Sequence, residues 1–130
     1  MMEKQRHFSH TSWEKVFGYC RAIRSGNFIE VSGTTAVDDA GEVVCEGDYY
    51  GQSRYALQKI EKAIQALQGQ KSDIVRTRIF IRDIAQWEHV ARAHSEFFGT
   101  QVPVASLIEI PKLIDSRLLI EIEASAILSF

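Results

Sequence analysis

Residues 103–126, PVASLIEIPKLIDSRLLIEIEASA, decide how the rest of the chain is read. Leu118, Ile120, Ile122, Ala124 and Ala126 alternate with Leu119, Glu121, Glu123 and Ser125. A period of two is that of a β-strand with one apolar face. The opposite face carries two carboxylates, and burying unpaired charge is costly, so it must meet solvent, a partner subunit or a ligand. Upstream, Pro103 prevents a helix from restarting, and Val104 to Ile110 reads as another strand. Val104, Ser106, Ile108 and Ile110 share one of its sides; Ala105, Leu107 and Glu109 share the other.

Working backward, the spacing predicts a helix after Asp83 and Gln86, which fit a capping box. Trp87, Val90, Ala91, His94, Phe97 and Phe98 form its apolar stripe, and Gly99 closes it. His94 on that stripe reads as a packed, hydrogen-bonded histidine, and His89 lies too far round the helix to share a metal with it. Before this helix, Ile74 to Arg82 reads as a strand: Val75, Thr77, Ile79 and Ile81 point one way, Arg76, Arg78, Phe80 and Arg82 the other. A longer helix is expected from an Asp48 cap to about Leu67, with Ala56, Leu57, Ile60, Ala63, Ile64 and Leu67 on one stripe and Gly69 as its stop. Tyr19 to Arg24 and Phe28 to Ser32 form a hairpin about Ser25-Gly26-Asn27. Gly33 at the strand end marks a bulge, a turn or a close backbone approach. Residues 1–17 are read as an irregular arm anchored by Phe8, Trp13 and Phe17.

The resulting order, two strands, helix, strand, helix and two strands, is that of an α+β layer with two helices on one face of a sheet. The other face mixes Leu119, Phe80 and Leu107 with Glu121 and Glu123. A closed homo-oligomer is the simplest cover for it, with ligand clefts between subunits.

A chain of 130 residues is expected to form a single domain, 1–130, with enough core to fold without metals or disulfides. Its 45% hydrophobic and 25% charged residues are those of an ordinary globular protein. A net charge of -2 gives no general attraction to nucleic acid or anionic membrane. No stretch approaches the roughly 20 apolar residues of a membrane span, and the first ten residues lack a secretory apolar segment, so a cytoplasmic location is expected. Cys20 and Cys45 have no metal-like spacing and read as plain thiols. Neither a Walker loop nor GxGxxG, a Gly-x-Ser-x-Gly elbow or HExxH occurs.

The blocks Gly18-Tyr19-Cys20-Arg21-Ala22, Gly26-Asn27-Phe28-Ile29, Val31-Ser32-Gly33-Thr34-Thr35, Ile74-Val75-Arg76-Thr77, Glu96-Phe97-Phe98-Gly99 and Ile120-Glu121-Ile122-Glu123-Ala124 occur in order. From Gly18 onward the chain resembles the Rid (YjgF-like, reactive intermediate deaminase) family. The resemblance implies a chorismate-mutase-like fold and a homotrimer packed through its sheets, with three small-molecule clefts at the subunit interfaces. It implies hydrolysis of an imine or enamine to a 2-keto acid and ammonia, without metal or cofactor. Carried over residue by residue, the tyrosine of the cleft falls on Tyr19, the backbone contact on Gly33 and the water-positioning glutamate on Glu121, with Ser32 and Ser106 in the adjoining substrate-binding blocks.

One element of the pattern is missing. The family's Pro-x-Arg-Ser is here Pro103-Val104-Ala105-Ser106, and Ala105 offers neither charge nor donor to a substrate carboxylate. A buried charged hydrogen bond contributes roughly 1.5 to 3 kcal/mol, so binding of ordinary imino acids is weakened. The loop from Lys112 to Arg117 is one residue longer than in common members, and Arg117 or Lys112 is a candidate replacement cation. The expected activity is a hydrolase or deaminase acting on an imine, enamine or related small substrate other than the usual 2-imino acids. The alternatives are a non-catalytic metabolite-binding trimer and, given the acidic balance, less readily an endoribonuclease using Arg76, Arg78 and Arg82.

Overall fold

The computed structural model describes residues 3–129; Met1, Met2 and Phe130, and with them the start of the expected arm, lie outside the described residues. β6 (Ile120–Ile127) sits in the middle of the sheet, antiparallel to both β3 (Phe28–Thr34) and β4 (Ile74–Ile81). Its alternation appears directly in its burial, since Ile120, Ile122, Ala124 and Ala126 are buried while Glu121, Glu123 and Ser125 are half-buried. β2 (Ala22–Ser25) forms the hairpin with β3, and β5 (Val104–Glu109) runs parallel to β4. With β1 (Lys4–His7) at the edge, the six-stranded mixed sheet has the order β1-β2-β3-β6-β4-β5.

Helix α2 (Tyr49–Ala66) begins where the Asp48 carboxylate accepts from the Gly51 N–H at 2.9 Å. Ala56, Leu57, Ile60, Ala63 and Ile64 are buried against β3 and β6. Each large aliphatic side chain so buried stabilises the fold by about 1.5 to 3 kcal/mol. Helix α3 (Trp87–Phe98) packs on α2 and closes at Gly99. Both long helices thus cover one sheet face, and the α+β layer expected from the sequence is the observed fold.

Several local expectations are corrected. The segment read as an irregular arm contains β1, paired with β2, and α1 (Ser12–Phe17). The buried residue of α1 is Glu14, whose carboxylate accepts from the Ser9 N–H and the Ser9 hydroxyl, whereas Trp13 and Phe17 point outward. Polar anchoring of this kind leaves no apolar period to detect. In β4 a register shift between Ile74 and Arg76 turns Val75 outward, to 40% exposure, and buries Ile74 instead. On α3 the inward alanine is Ala93, and Ala91 is exposed. The left-handed residue after α2 is Gln68; Gly69 is required because a Cβ there would lie 2.7 Å from the Ile64 Cγ2.

The uncovered face carries Glu30, Arg76, Arg78, Phe80, Ser106 and Ile108, together with the β6 carboxylates. Parallel register sets Arg78 beside Ser106 and Phe80 beside Ile108, so Ile108, not Leu107, is the apolar residue that β5 contributes to it. Val104 and Ile108 are 58% and 40% exposed, an apolar rim around a charged centre.

Candidate active site

Gly18 ends α1 in the left-handed conformation, at φ 88°, and both its N–H and that of Tyr19 donate to the Glu14 carbonyl. This turn delivers Tyr19 to the start of the hairpin. Arg21 follows, its N–H donating to the His7 carbonyl at 2.8 Å and its carbonyl accepting from the Ser32 N–H at 3.0 Å. Opposite, the β3 ladder shifts register between Val31 and Thr34, and Gly33 lies in the shift. Its carbonyl accepts from the Arg21 Nη2 at 2.5 Å. A Cβ on Gly33 would come within 2.7 Å of the Glu121 Cδ and Oε2, so the carboxyl group of Glu121 lies directly over the glycine Cα. The close approach expected at Gly33 is therefore to a side chain, and it occurs within a bulge.

Glu121 faces Phe80 in the ladder and is half-buried. Burial raises its pKa above the ordinary carboxylate value, the Glu123 charge raises it further, and the Arg21 guanidinium pulls it back. The Tyr19 ring centroid is 5.7 Å from the Arg21 Cζ and meets the Phe17 ring edge-on. Tyr19, Arg21, Gly33 and Glu121 thus form one cluster, three of whose members the sequence singled out.

The remaining residues fall elsewhere. Ser32 donates its hydroxyl proton to the Cys20 carbonyl at 2.8 Å and lines an open concavity of about 550 Å³ with Cys20, Glu30, Arg78 and Glu123. Ala105 pairs with Thr77, whose side chain is buried on the helix side, so it does not share the Glu121 face; its neighbour Ser106 does. Arg117 forms a two-pronged contact with Asp115, at 3.1 and 2.8 Å, and lies 3.6 Å from Glu46. Those bonds from Arg117 hold the Asp115 pKa down to about 2. Lys112 is exposed. Among the described residues, no three His, Cys, Asp or Glu side chains converge as a metal site would require.

Sequence reasoning missed Arg21 as a site residue. Its only signal was a charge between Tyr19 and the first strand of the hairpin, and its side-chain bond to the Gly33 carbonyl is tertiary information. Lys59 is a second omission: burial and the Arg21 charge push its pKa down to about 8, and its Nζ donates to the Thr35 and Val37 carbonyls at 3.0 and 2.8 Å. It fastens the loop leaving β3 to α2.

At the open face of an α+β sheet, then, a half-buried carboxylate lies over a glycine whose carbonyl holds a guanidinium, with a tyrosine ring beside that guanidinium. The chain belongs to the family described as Endoribonuclease L-PSP, whose pattern matches residues 11–128. It is similar to the crystal structure of Rv2704 from Mycobacterium tuberculosis, a member of the YjgF/YER057c/UK114 family, with 37% identity, a TM-score of 0.88, and coverage of 97% of this chain and 100% of that one. The resemblance read from the sequence therefore holds. Among curated relatives, the Streptomyces coelicolor protein SCO2049 is 34% identical over 91% of this chain and 87% of its own. The 3-aminoacrylate deaminase RutC of Acinetobacter baylyi is 29% identical over 83% of this chain and 85% of its own. Among the described residues no helix is long and apolar enough to cross a membrane.

Proposed function

We propose that the chain is a hydrolase or deaminase of small imines, enamines or related substrates, needing no cofactor, and that it works as a homotrimer whose clefts lie between open sheet faces. The observation that carries this reading is the Glu121 carboxyl, half-buried over Gly33 and raised in pKa. A carboxylate in that setting orients water and accepts its proton as the oxygen bonds to the C=N carbon. That proton passes to nitrogen to give a carbinolamine; the hydroxyl proton then follows it to nitrogen through the same carboxylate as the C–N bond breaks, the carbonyl forms and ammonia leaves, an enamine first taking a proton on carbon to become the imine. Tyr19 hydrogen-bonds the substrate, and Ser32 and Ser106 line the approach from their respective strands. A relative named for deamination of 3-aminoacrylate, an enamine, supports the reaction class.

Trimer assembly is supported by the apolar rim of Val104 and Ile108 beside charged Arg78 and Glu123. In such a cleft Ser106, which lies on the open face of β5, adjoins a neighbouring Glu121. Ammonia release is expected from the wild type on a panel of imines and enamines and is lost in Glu121→Gln; equal rates in both would refute the role of Glu121. Light scattering is expected to give a trimer for the wild type and smaller species for Ile108→Asp, and a monomeric wild type would defeat the cleft.

Ala105 favours a second reading, a metabolite-binding trimer without turnover, because a neutral methyl holds no anion. A ligand that raises the melting temperature without ammonia release supports it. The ribonuclease reading is weaker: Arg78 pairs with Glu123 at 3.2 Å and the net charge is -2. RNA affinity insensitive to salt would remove it.

A further inference from the structure

We propose that Lys59 is a positioning residue of this site: reaching from α2 and touching no substrate, its ammonium holds the exit of β3 so that Gly33 stays beneath the Glu121 carboxyl. The inference rests on the role given to Glu121 above and names what keeps that carboxyl in place.

β3 leaves its ladder with β6 after Thr34, whose partner is Ile122, and the backbone carbonyls around that point need donors from elsewhere. Side chains supply them. The Ser32 carbonyl accepts from the Thr34 hydroxyl at 2.7 Å, the Gly33 carbonyl from the Arg21 Nη2 at 2.5 Å, and the Thr35 and Val37 carbonyls from the Lys59 Nζ at 3.0 and 2.8 Å. Thr34 and Arg21 belong to the hairpin and its approach, so they move with it and cannot fix it against another element. Lys59 reaches across from α2. That helix is anchored independently, through Leu57, Ile60 and Ile64 in the core.

The same helix holds the other side of the contact. About two turns before Lys59, the Gln52 Oε1 accepts from the Leu119 N–H at 2.8 Å, and Leu119 immediately precedes the strand that carries Glu121. α2 therefore grips the backbone on both sides of the Gly33–Glu121 approach, where a Cβ on the glycine would already stand 2.7 Å from the carboxyl. So close a contact has little slack, and a small shift of the β3 exit changes how the carboxyl is covered. The ammonium is committed to this backbone. Among the described residues no carboxylate oxygen lies within 4.0 Å of it, and Asp38, whose charge it senses, accepts instead from the Ala40 and Glu42 N–H groups. Bonds from a charged donor are roughly twice as strong as neutral ones, which suits a clasp of two bonds.

The charges that shift Glu121 are those of Glu123 and Arg21, so removing the Lys59 charge leaves its titration unchanged unless its surroundings move. The test compares full-length wild type, Lys59→Met, which keeps an apolar stem without donors, and Lys59→Arg, which keeps charge and donors. Carbon-13 NMR follows the Glu121 carboxyl through a pH titration, with its signal assigned by its loss in Glu121→Gln. The Glu121 pKa is expected to be raised in wild type, to fall toward the ordinary carboxylate value in Lys59→Met as water reaches the carboxyl, and to recover in Lys59→Arg. Ammonia release is expected to lose at least about tenfold in kcat in Lys59→Met, with KM little changed, and to regain most of it in Lys59→Arg. A Glu121 titration identical in wild type and Lys59→Met overturns the proposal, even where that variant melts at a lower temperature, since Lys59 would then be a structural tie alone. Should Lys59→Met be unfolded by circular dichroism, Lys59→Gln, with a neutral donor on a shorter stem, is titrated in its place and judged by the same criterion. A Glu121 pKa that moves with Lys59 while no chain releases ammonia sinks the hydrolase reading alone. Turnover lost in Glu121→Gln but equal in wild type and Lys59→Met sinks this inference alone.

Discussion

Replacing Gly33 by alanine tests the closest contact in the site. The added Cβ would stand 2.7 Å from the Glu121 Cδ and Oε2, and ordinary contact begins near 3.4 Å, so the carboxyl must retreat by about 0.7 Å. That carboxyl is the free end of a flexible side chain, so it gives way and the backbone stays. Gly33 is not among the glycines held at positive φ, and alanine therefore adds no backbone strain. The loss of unfolded-state freedom contributes roughly 0.4 to 1 kcal/mol in its favour, offsetting what the crowding costs. Stability measured by urea denaturation is thus expected to change by less than about 1 kcal/mol. Activity is another matter, because a misplacement near 1 Å costs up to about a hundredfold in rate. Ammonia release is expected to fall at least about tenfold, mainly in kcat. A Gly33→Ala chain that is as stable and as active as wild type would refute the role given to the carboxyl position. One that loses several kcal/mol would mean that the bulge itself, not Glu121, had to move.

Two other predictions concern stability. Gln52 is fully buried, with its Nε2 donating to the Val44 and Arg117 carbonyls and its Oε1 accepting from the Leu119 N–H at 2.8 Å. Gln52→Leu keeps the volume and strands these three groups, so denaturant unfolding is expected to register a loss of roughly 2 to 4 kcal/mol with an unchanged m-value. His94 bonds the Thr77 hydroxyl at 2.8 Å, and burial lowers its pKa below the usual 6.5. The unfolded chain then binds this proton more readily than the folded one, so the His94 contribution is complete above about pH 6.5 and is lost as pH falls through the lower folded value. Unfolding curves across that window are expected to be flatter for His94→Gln than for wild type; parallel curves would remove the assignment.

The legible part of this fold was its local periodicity. The strict alternation of β6, the stripe on α2 and the hairpin about Gly26 and Asn27 were all visible because each is fixed by neighbours two to four residues apart. Where polar contacts or bulges replace periodicity, the sequence is silent. Glu14 anchors α1 through hydroxyl and amide bonds, and Val75 is turned out by a register shift that nothing in the segment around Ile74 announces. The site divides along the same line. Glu121 was conspicuous as a carboxylate on an apolar strand, and Tyr19 and Gly33 through resemblance, whereas Arg21 looked like one more strand-flanking charge.

By itself, the sequence determined that two amphipathic helices cover one side of a sheet and that carboxylates emerge on the other, since alternation and helical spacing are properties of a single segment. Only the tertiary structure decided which of those charges are brought together and desolvated. Arg21, Gly33 and Glu121 meet because the β2–β3 hairpin and the β3–β6 ladder bring separate segments into register. Desolvation and the distance between charges, which raise the Glu121 pKa and leave the Arg21 Nε without a partner among the described residues, come into existence only when those segments are packed together.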